Sequence, residues 1–167
     1  VNADHLQLLA PQGAAKGWSG RIVTNPNCST IMLAMALAPL RPFGLRQVVV
    51  STLQAVSGGG YPGVASLDIV GNVIPIVRGE EEKIETETKK ILGQVTAAGA
   101  EPHPLVVSAS TTRVPVINGH TELASVALET DPGQDALVRA MGEFSGRPQE
   151  ADLPSAPARP IVYMDDD

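Results

Sequence analysis

Asn25-Pro26-Asn27-Cys28-Ser29-Thr30 holds the chain's only cysteine, at the point where a polar turn gives way to an apolar stretch. Pro26 fixes its own φ and pushes Asn25 towards extended backbone. Ser29 and Thr30 can open a helix, and Ile31 to Leu40 is almost wholly apolar, as a buried helix requires. Cys28 then lies at or just before a helix N-terminus. Free N–H groups and the positive end of the dipole favour a thiolate there and could hold a developing oxyanion. The commoner fate of a lone cysteine is that of a small buried core residue.

Five other polar positions could join Cys28. Gln54 ends an apolar strand, which puts its amide at the rim of a sheet, although strand ends often carry a polar residue with no further role. Glu80 and Lys83 are i,i+3 on one helical face, a pattern that more often means a solvated ion pair. Arg113 lies in an otherwise apolar strand, where a cation needs an anion, internal or from a ligand. His120 directly follows Asn118-Gly119, so a turn could expose it as an acid/base group or as an ordinary surface histidine. Together these residues offer a nucleophile, a candidate base and two cations, a set suited to acyl transfer on a substrate bearing a carboxylate and a phosphate.

The elements that must position them are legible in outline. Asn2 to Leu9 reads as a short helix or turn, and Arg21-Ile22-Val23-Thr24 as a short strand. A helix runs from Cys28 to about Leu40, where Pro39, Pro42 and Gly44 end it. Gln47 to Ala55 is a buried strand running into the flexible loop Ser57 to Gly63. Asn72 to Val77 is extended. Glu80 to Gln94 is a strong helix, with Glu80, Glu81 and Glu82 in its first turn, Lys89 and Lys90 in its last, and Ile84, Thr88 and Ile91 as its inward stripe. Leu105 to Thr111 is a strand. Arg113 to Ile117 and Thr121 to Leu128 read as the arms of a hairpin turning at Asn118-Gly119. Asp131-Pro132 opens a helix with Leu137, Met141 and Phe144 on one face, and residues 146–160 are linker-like. This order predicts an α+β domain: a mixed, largely antiparallel sheet with helices packed on one face.

Composition bounds the rest. The 167 residues suit one domain, and with aromatics at 3% an aliphatic core must hold it. A net charge of −6 with no basic run argues against nucleic acid. No zinc-ligand spacing appears, so no metal is expected, and the single cysteine fits a reducing compartment. No apolar run is long enough to span a membrane, and the first residues do not read as a signal peptide.

NPNCST, LQAVSGGGYPG, NVIPIVRGEEEKIETETKKIL and RVPVINGHTE, in that order, resemble aspartate-β-semialdehyde dehydrogenase in the branch seen in fungi and archaea. That family reduces β-aspartyl phosphate to aspartate semialdehyde with NADPH and releases inorganic phosphate, at the branch towards lysine, threonine, methionine and isoleucine. The resemblance implies roles by position. Cys28 matches the acyl-thioester nucleophile and His120 the acid/base. Gln54 orients substrate, Arg113 holds its carboxylate, and Glu80 and Asn27 place it. Lys83 binds phosphate, and Ser57 and Gly58 lie near the nicotinamide of NADP. It also implies a cytoplasmic homodimer or homotetramer acting on a small molecule. Residues 1–167 would be the catalytic and dimerisation domain cut at both ends, with the Rossmann domain absent, and unable to turn over alone. The alternatives are another phosphorylating acyl dehydrogenase such as N-acetylglutamyl-phosphate reductase, a cysteine hydrolase using Cys28 and His120, or an oligomerisation module with an idle site.

Overall fold

The computed structural model describes residues 1–164; the three final aspartates lie outside the described residues. After a 3-10 turn over Ala3–Leu8, the elements are α1 (Leu9–Lys16), α2 (Cys28–Leu37), β1 (Leu45–Gln54), α3 (Ser66–Ile69), α4 (Glu80–Ile91), β2 (Gln94–Thr96), β3 (Gly99–Glu101), β4 (Val106–Arg113), β5 (Thr121–Leu128), α5 (Gln134–Gly142) and α6 (Arg147–Glu150). A second 3-10 stretch, Ala38–Phe43, carries the prolines that end α2.

β1 is the centre of a three-stranded sheet ordered β4-β1-β5. It pairs parallel with β4, Gln54 opposite Arg113, and antiparallel with β5, Leu53 opposite Thr121. The mixed sheet is therefore as expected, with one ladder of each sense. β2 and β3 form a separate antiparallel ribbon.

Alternation along β1 decides where the core lies. Val48, Val50, Thr52 and Gln54 are buried, whereas Val49, Ser51 and Leu53 face outward. On the inner face α2 contributes Leu33 and Leu37 and α4 contributes Ile84, packed with Val48, Val50 and Val107; Leu137, Met141 and Phe144 close over them from the α5 region. Truncating a side chain such as Leu37, 1% exposed, to alanine costs roughly 2–5 kcal/mol in cores of this kind.

Several sequence expectations are corrected. Arg113–Ile117 and Thr121–Leu128 do not form a hairpin, because both β4 and β5 bond to β1 and lie on opposite sides of it. β1 takes the centre, with a partner on each edge. Val114 instead bonds Gln54 at the end of β1, and Val116 and Ile117 bond Val56 and Ser57 just beyond it. Asn118-Gly119 still turns the chain, with Gly119 at φ +86°; the turn carries the chain across the end of β1. Arg21–Thr24 is not a strand: Ile22 and Val23 are exposed and Arg21 bonds the carbonyls of Trp18 and Gly20. α4 stops at Ile91, not Gln94, and Gln94 opens the β2–β3 ribbon. Residues 146–160 carry the one-turn α6 followed by turns.

The acidic helix α4 is not merely a solvated face. Glu81 and Glu85 accept from the backbone N–H groups of Thr111 and Ala109, at 3.1 Å each. They thereby satisfy donors on the outer edge of β4 that would otherwise be left unpaired.

Candidate active site

The site forms where β1 ends and α2 begins. Asn27 is the N-cap of α2: its Oδ1 accepts from the N–H groups of Ser29 (3.0 Å) and Thr30 (3.1 Å). Its Nδ2 donates to Glu80, and its own N–H donates to Glu87 Oε2 at 2.7 Å. α4 thus holds the cap from two carboxylates two helical turns apart. Cys28 follows as the first residue of α2. It is exposed, so the core reading of this cysteine does not apply.

His120 arrives from the other side, just after the Asn118-Gly119 turn. Its Nε2 lies 3.2 Å from Cys28 Sγ, and its Nδ1 accepts from the Ala55 N–H at 3.0 Å. Burial holds its pKa below the usual imidazole value, Arg113 pushes the same way, and Glu80 opposes them. Arg113, 7% exposed, donates to the Ala55 carbonyl at 2.8 Å. Among the described residues it has no carboxylate partner. A buried cation without an internal anion is poised for an anionic ligand.

Gly58 explains how these groups come so close. A Cβ there would sit 2.9 Å from Arg113 Nη1 and 3.0 Å from His120 Cε1, so any other residue would displace both side chains. Ser57 beside it is exposed, as is Gly58 itself. Gln54 is 1% exposed and donates to Thr52 Oγ1 at 3.3 Å, next to Arg113 in the sheet register. Lys83 is half-exposed and pairs with Glu80 at 3.3 Å. The structure therefore brings Cys28, His120, Arg113 and Gly58 together. Asn27 and Glu80 stand beside them, bonded to each other, and Gln54 lies in the sheet beneath. Lys83 reaches outward from the rim.

Three contributors were not foreseen. Glu87 was hidden in a charge-rich helix, although its spacing of seven from Glu80 puts both on one face. The Ala55 N–H is backbone and leaves no trace in sequence. Glu122 lies two residues after His120, on the same side of β5. Its Oε1 and the hydroxyl of the fully buried Ser29 both lack a hydrogen-bond partner. Burial raises its pKa to about 7, against a pull downward from Ser29. Among the described residues no cluster of His, Cys, Asp and Glu could hold a metal, and no helix is long and apolar enough to cross a membrane.

A family model described as semialdehyde dehydrogenase, dimerisation domain, matches residues 37–163. The chain belongs to this family. Aspartate-semialdehyde dehydrogenase of Methanothermobacter thermautotrophicus is 46% identical over the whole chain, which covers 48% of that relative. Malonyl CoA reductase (NADP) of Metallosphaera sedula is 36% identical, again over the whole chain and 48% of the relative. A crystal structure of aspartate semialdehyde dehydrogenase with NADP from Candida albicans superposes with a TM-score of 0.81 at 37% identity, over 94% of this chain and 47% of that one. The chain therefore spans about half the length of the relatives it matches.

Proposed function

We propose that this chain is the catalytic half of an aspartate-semialdehyde dehydrogenase, with Cys28 as the nucleophile that takes the acyl group of β-aspartyl phosphate. The observation that carries the reading is the 3.2 Å approach of His120 Nε2 to the exposed Sγ at the first turn of α2. The relatives' names supply the substrate class, and the buried, anion-seeking Arg113 fits a substrate carboxylate.

Cys28 Sγ, exposed, gives its proton to solvent and attacks the acyl carbon as the thiolate; the acyl–phosphate bond breaks and inorganic phosphate leaves past Lys83. The Cys28 N–H and the His120 ring stabilise the oxygen on which charge develops, the next N–H groups of α2 being held by Asn27. Arg113 holds the α-carboxylate, Gln54 orients the chain of the substrate, and Glu80, already bonded to Asn27, places its remaining polar groups. These contacts restrict motion at the reacting carbon.

Ser57 and Gly58 fit a nicotinamide: both are exposed, and Gly58 lies directly against Arg113 and His120. When bound, NADPH supplies the hydride that reduces the thioester. Reduction needs a bound dinucleotide, whereas acylation of Cys28 does not, so the two steps are separable by leaving the dinucleotide out. The pathway to lysine, threonine, methionine and isoleucine and a cytoplasmic setting follow from the same reading.

The outer face of the sheet supports association. Val49 and Leu53 on β1, Val106 on β4 and Leu123 on β5 are exposed there, with only uncharged residues between them in the register. A second copy covering this face would give the homodimer, or the core of a homotetramer.

A malonyl-CoA reductase is the second reading, favoured by the Metallosphaera relative; it shares the thioester and a substrate carboxylate. The test is to offer the chain β-aspartyl phosphate and malonyl-CoA separately and follow the group released. A stoichiometric burst of phosphate supports the first reading, a burst of CoA the second, and neither would contradict both.

A further inference from the structure

Two contacts bear on where the His120 ring carries its proton. The Ala55 N–H donates to Nδ1 at 3.0 Å, so Nδ1 presents a lone pair and carries no proton. A neutral imidazole then has its proton on Nε2, the nitrogen 3.2 Å from Cys28 Sγ. Protonating Nδ1 would bring two N–H groups face to face at a residue that is 0% exposed, where the Ala55 N–H has no water to turn to.

We propose that Ala55 is a positioning residue whose N–H locks His120 in the Nε2–H tautomer. His120 therefore meets Cys28 and the reacting oxygen as a neutral hydrogen-bond donor, and takes a second proton only when the Ala55 contact opens. Burial and Arg113 act in the same direction, disfavouring the imidazolium, and Glu80 opposes them. Cys28 Sγ is a further titratable group in contact with the ring.

From the locked state His120 cannot hand a proton to an alkoxide, because the ring would be left with none. It can shorten its Nε2–H bond to a thiolate or to an oxyanion without transferring the proton. Net acid–base work needs the imidazolium, and so needs the end of β1 to release Nδ1. The part of the inference that concerns the reacting oxygen rests on the proposed function; the tautomer does not.

Long-range proton–nitrogen correlation spectra of the chain labelled with 15N-histidine test it. His120 is identified among His5, His103 and His120 by the signals lost in His120→Gln. The expected result at neutral pH is the Nε2–H tautomer with an unprotonated Nδ1. An Nδ1–H tautomer or a doubly protonated ring would overturn the proposal. Ala55→Pro supplies the second arm: Ala55 has φ −66° and ψ 152°, values proline shares, and the substitution deletes the N–H. His120 in that variant is expected to populate Nδ1–H and to take up its second proton at higher pH; a folded variant with an unchanged tautomer would overturn the role of Ala55. If Ala55→Pro does not fold, the wild-type spectrum decides. Iodoacetamide kinetics at Cys28 separate this from the functional reading: a sluggish thiol would count against the nucleophile and leave the tautomer result standing.

Discussion

The Asn27 N–H donates to Glu87 Oε2 at 2.7 Å, across 60 residues of sequence. Helix α4 therefore fixes the cap that in turn fixes Cys28. Asn27→Ala removes the acceptor for Ser29 and Thr30 as well as the contact with Glu80. Loss of such a cap costs about 1 kcal/mol, and the larger effect is expected at Cys28, whose alkylation rate at neutral pH should fall. Chemical denaturation and iodoacetamide kinetics on the same variant check both. A variant with normal thiol kinetics would disconnect the Asn27 side chain and its Glu80 contact from the nucleophile.

Gly58→Ala is expected to harm the site more than the fold. The added methyl meets Arg113 Nη1 and His120 Cε1 at about 3 Å, side-chain atoms rather than backbone, so those two side chains must move. Acylation of Cys28 should slow by roughly tenfold or more, since a displacement of about 1 Å can cost up to a hundredfold, with a small change in melting temperature. An equal loss of both would point to a wholly structural glycine.

Glu122 sets a stability trend with pH. Its carboxyl has a pKa of about 7 in the fold against 4.5 for an ordinary glutamate. Between those values the folded state binds more protons than the unfolded one, so this group's contribution to stability falls as pH rises and is fully unfavourable above the upper value. Glu122→Gln should be more stable than wild type at about pH 8 and lose that advantage at about pH 4. Urea titrations at both pH values measure it, and an advantage at the acid end would reverse the sign.

The outer face of the sheet is where association should fail. Leu53, exposed at 37%, lies in the central strand of that face. Leu53→Lys places a charge in the middle of an uncharged surface and should shift the sedimentation coefficient to that of a monomer while leaving the far-UV spectrum unchanged. A wild-type chain that sediments as a monomer at all concentrations would remove this face from the account.

What the sequence disclosed, and what it hid, follows from the range of each interaction. The apolar run after Cys28, the alternation around Val48 and Val50 and the Ile84-Thr88-Ile91 stripe are local patterns, and each formed the element it implied. The Arg113–Ile117 hairpin failed because strand order is a long-range matter: Asn118-Gly119 specifies a turn but not which strand lies alongside. The nine candidate site residues could be named from residue type and motif. Their division into Cys28, His120 and Arg113 on one side and the bonded pair Asn27–Glu80 on the other could not, because Asn27 lies 53 residues from Glu80 in sequence. The Ala55 N–H was out of reach altogether, as every residue but proline carries one.

The measurement that bears most directly on the central claim is peptide mapping by mass spectrometry after the chain is mixed with β-aspartyl phosphate in the absence of any dinucleotide. The account predicts an aspartyl adduct on the peptide containing Cys28, labile to hydroxylamine as thioesters are, matched by an equal amount of free phosphate and lost in Cys28→Ser. Phosphate release without an adduct on Cys28, or an adduct that survives Cys28→Ser, would contradict it.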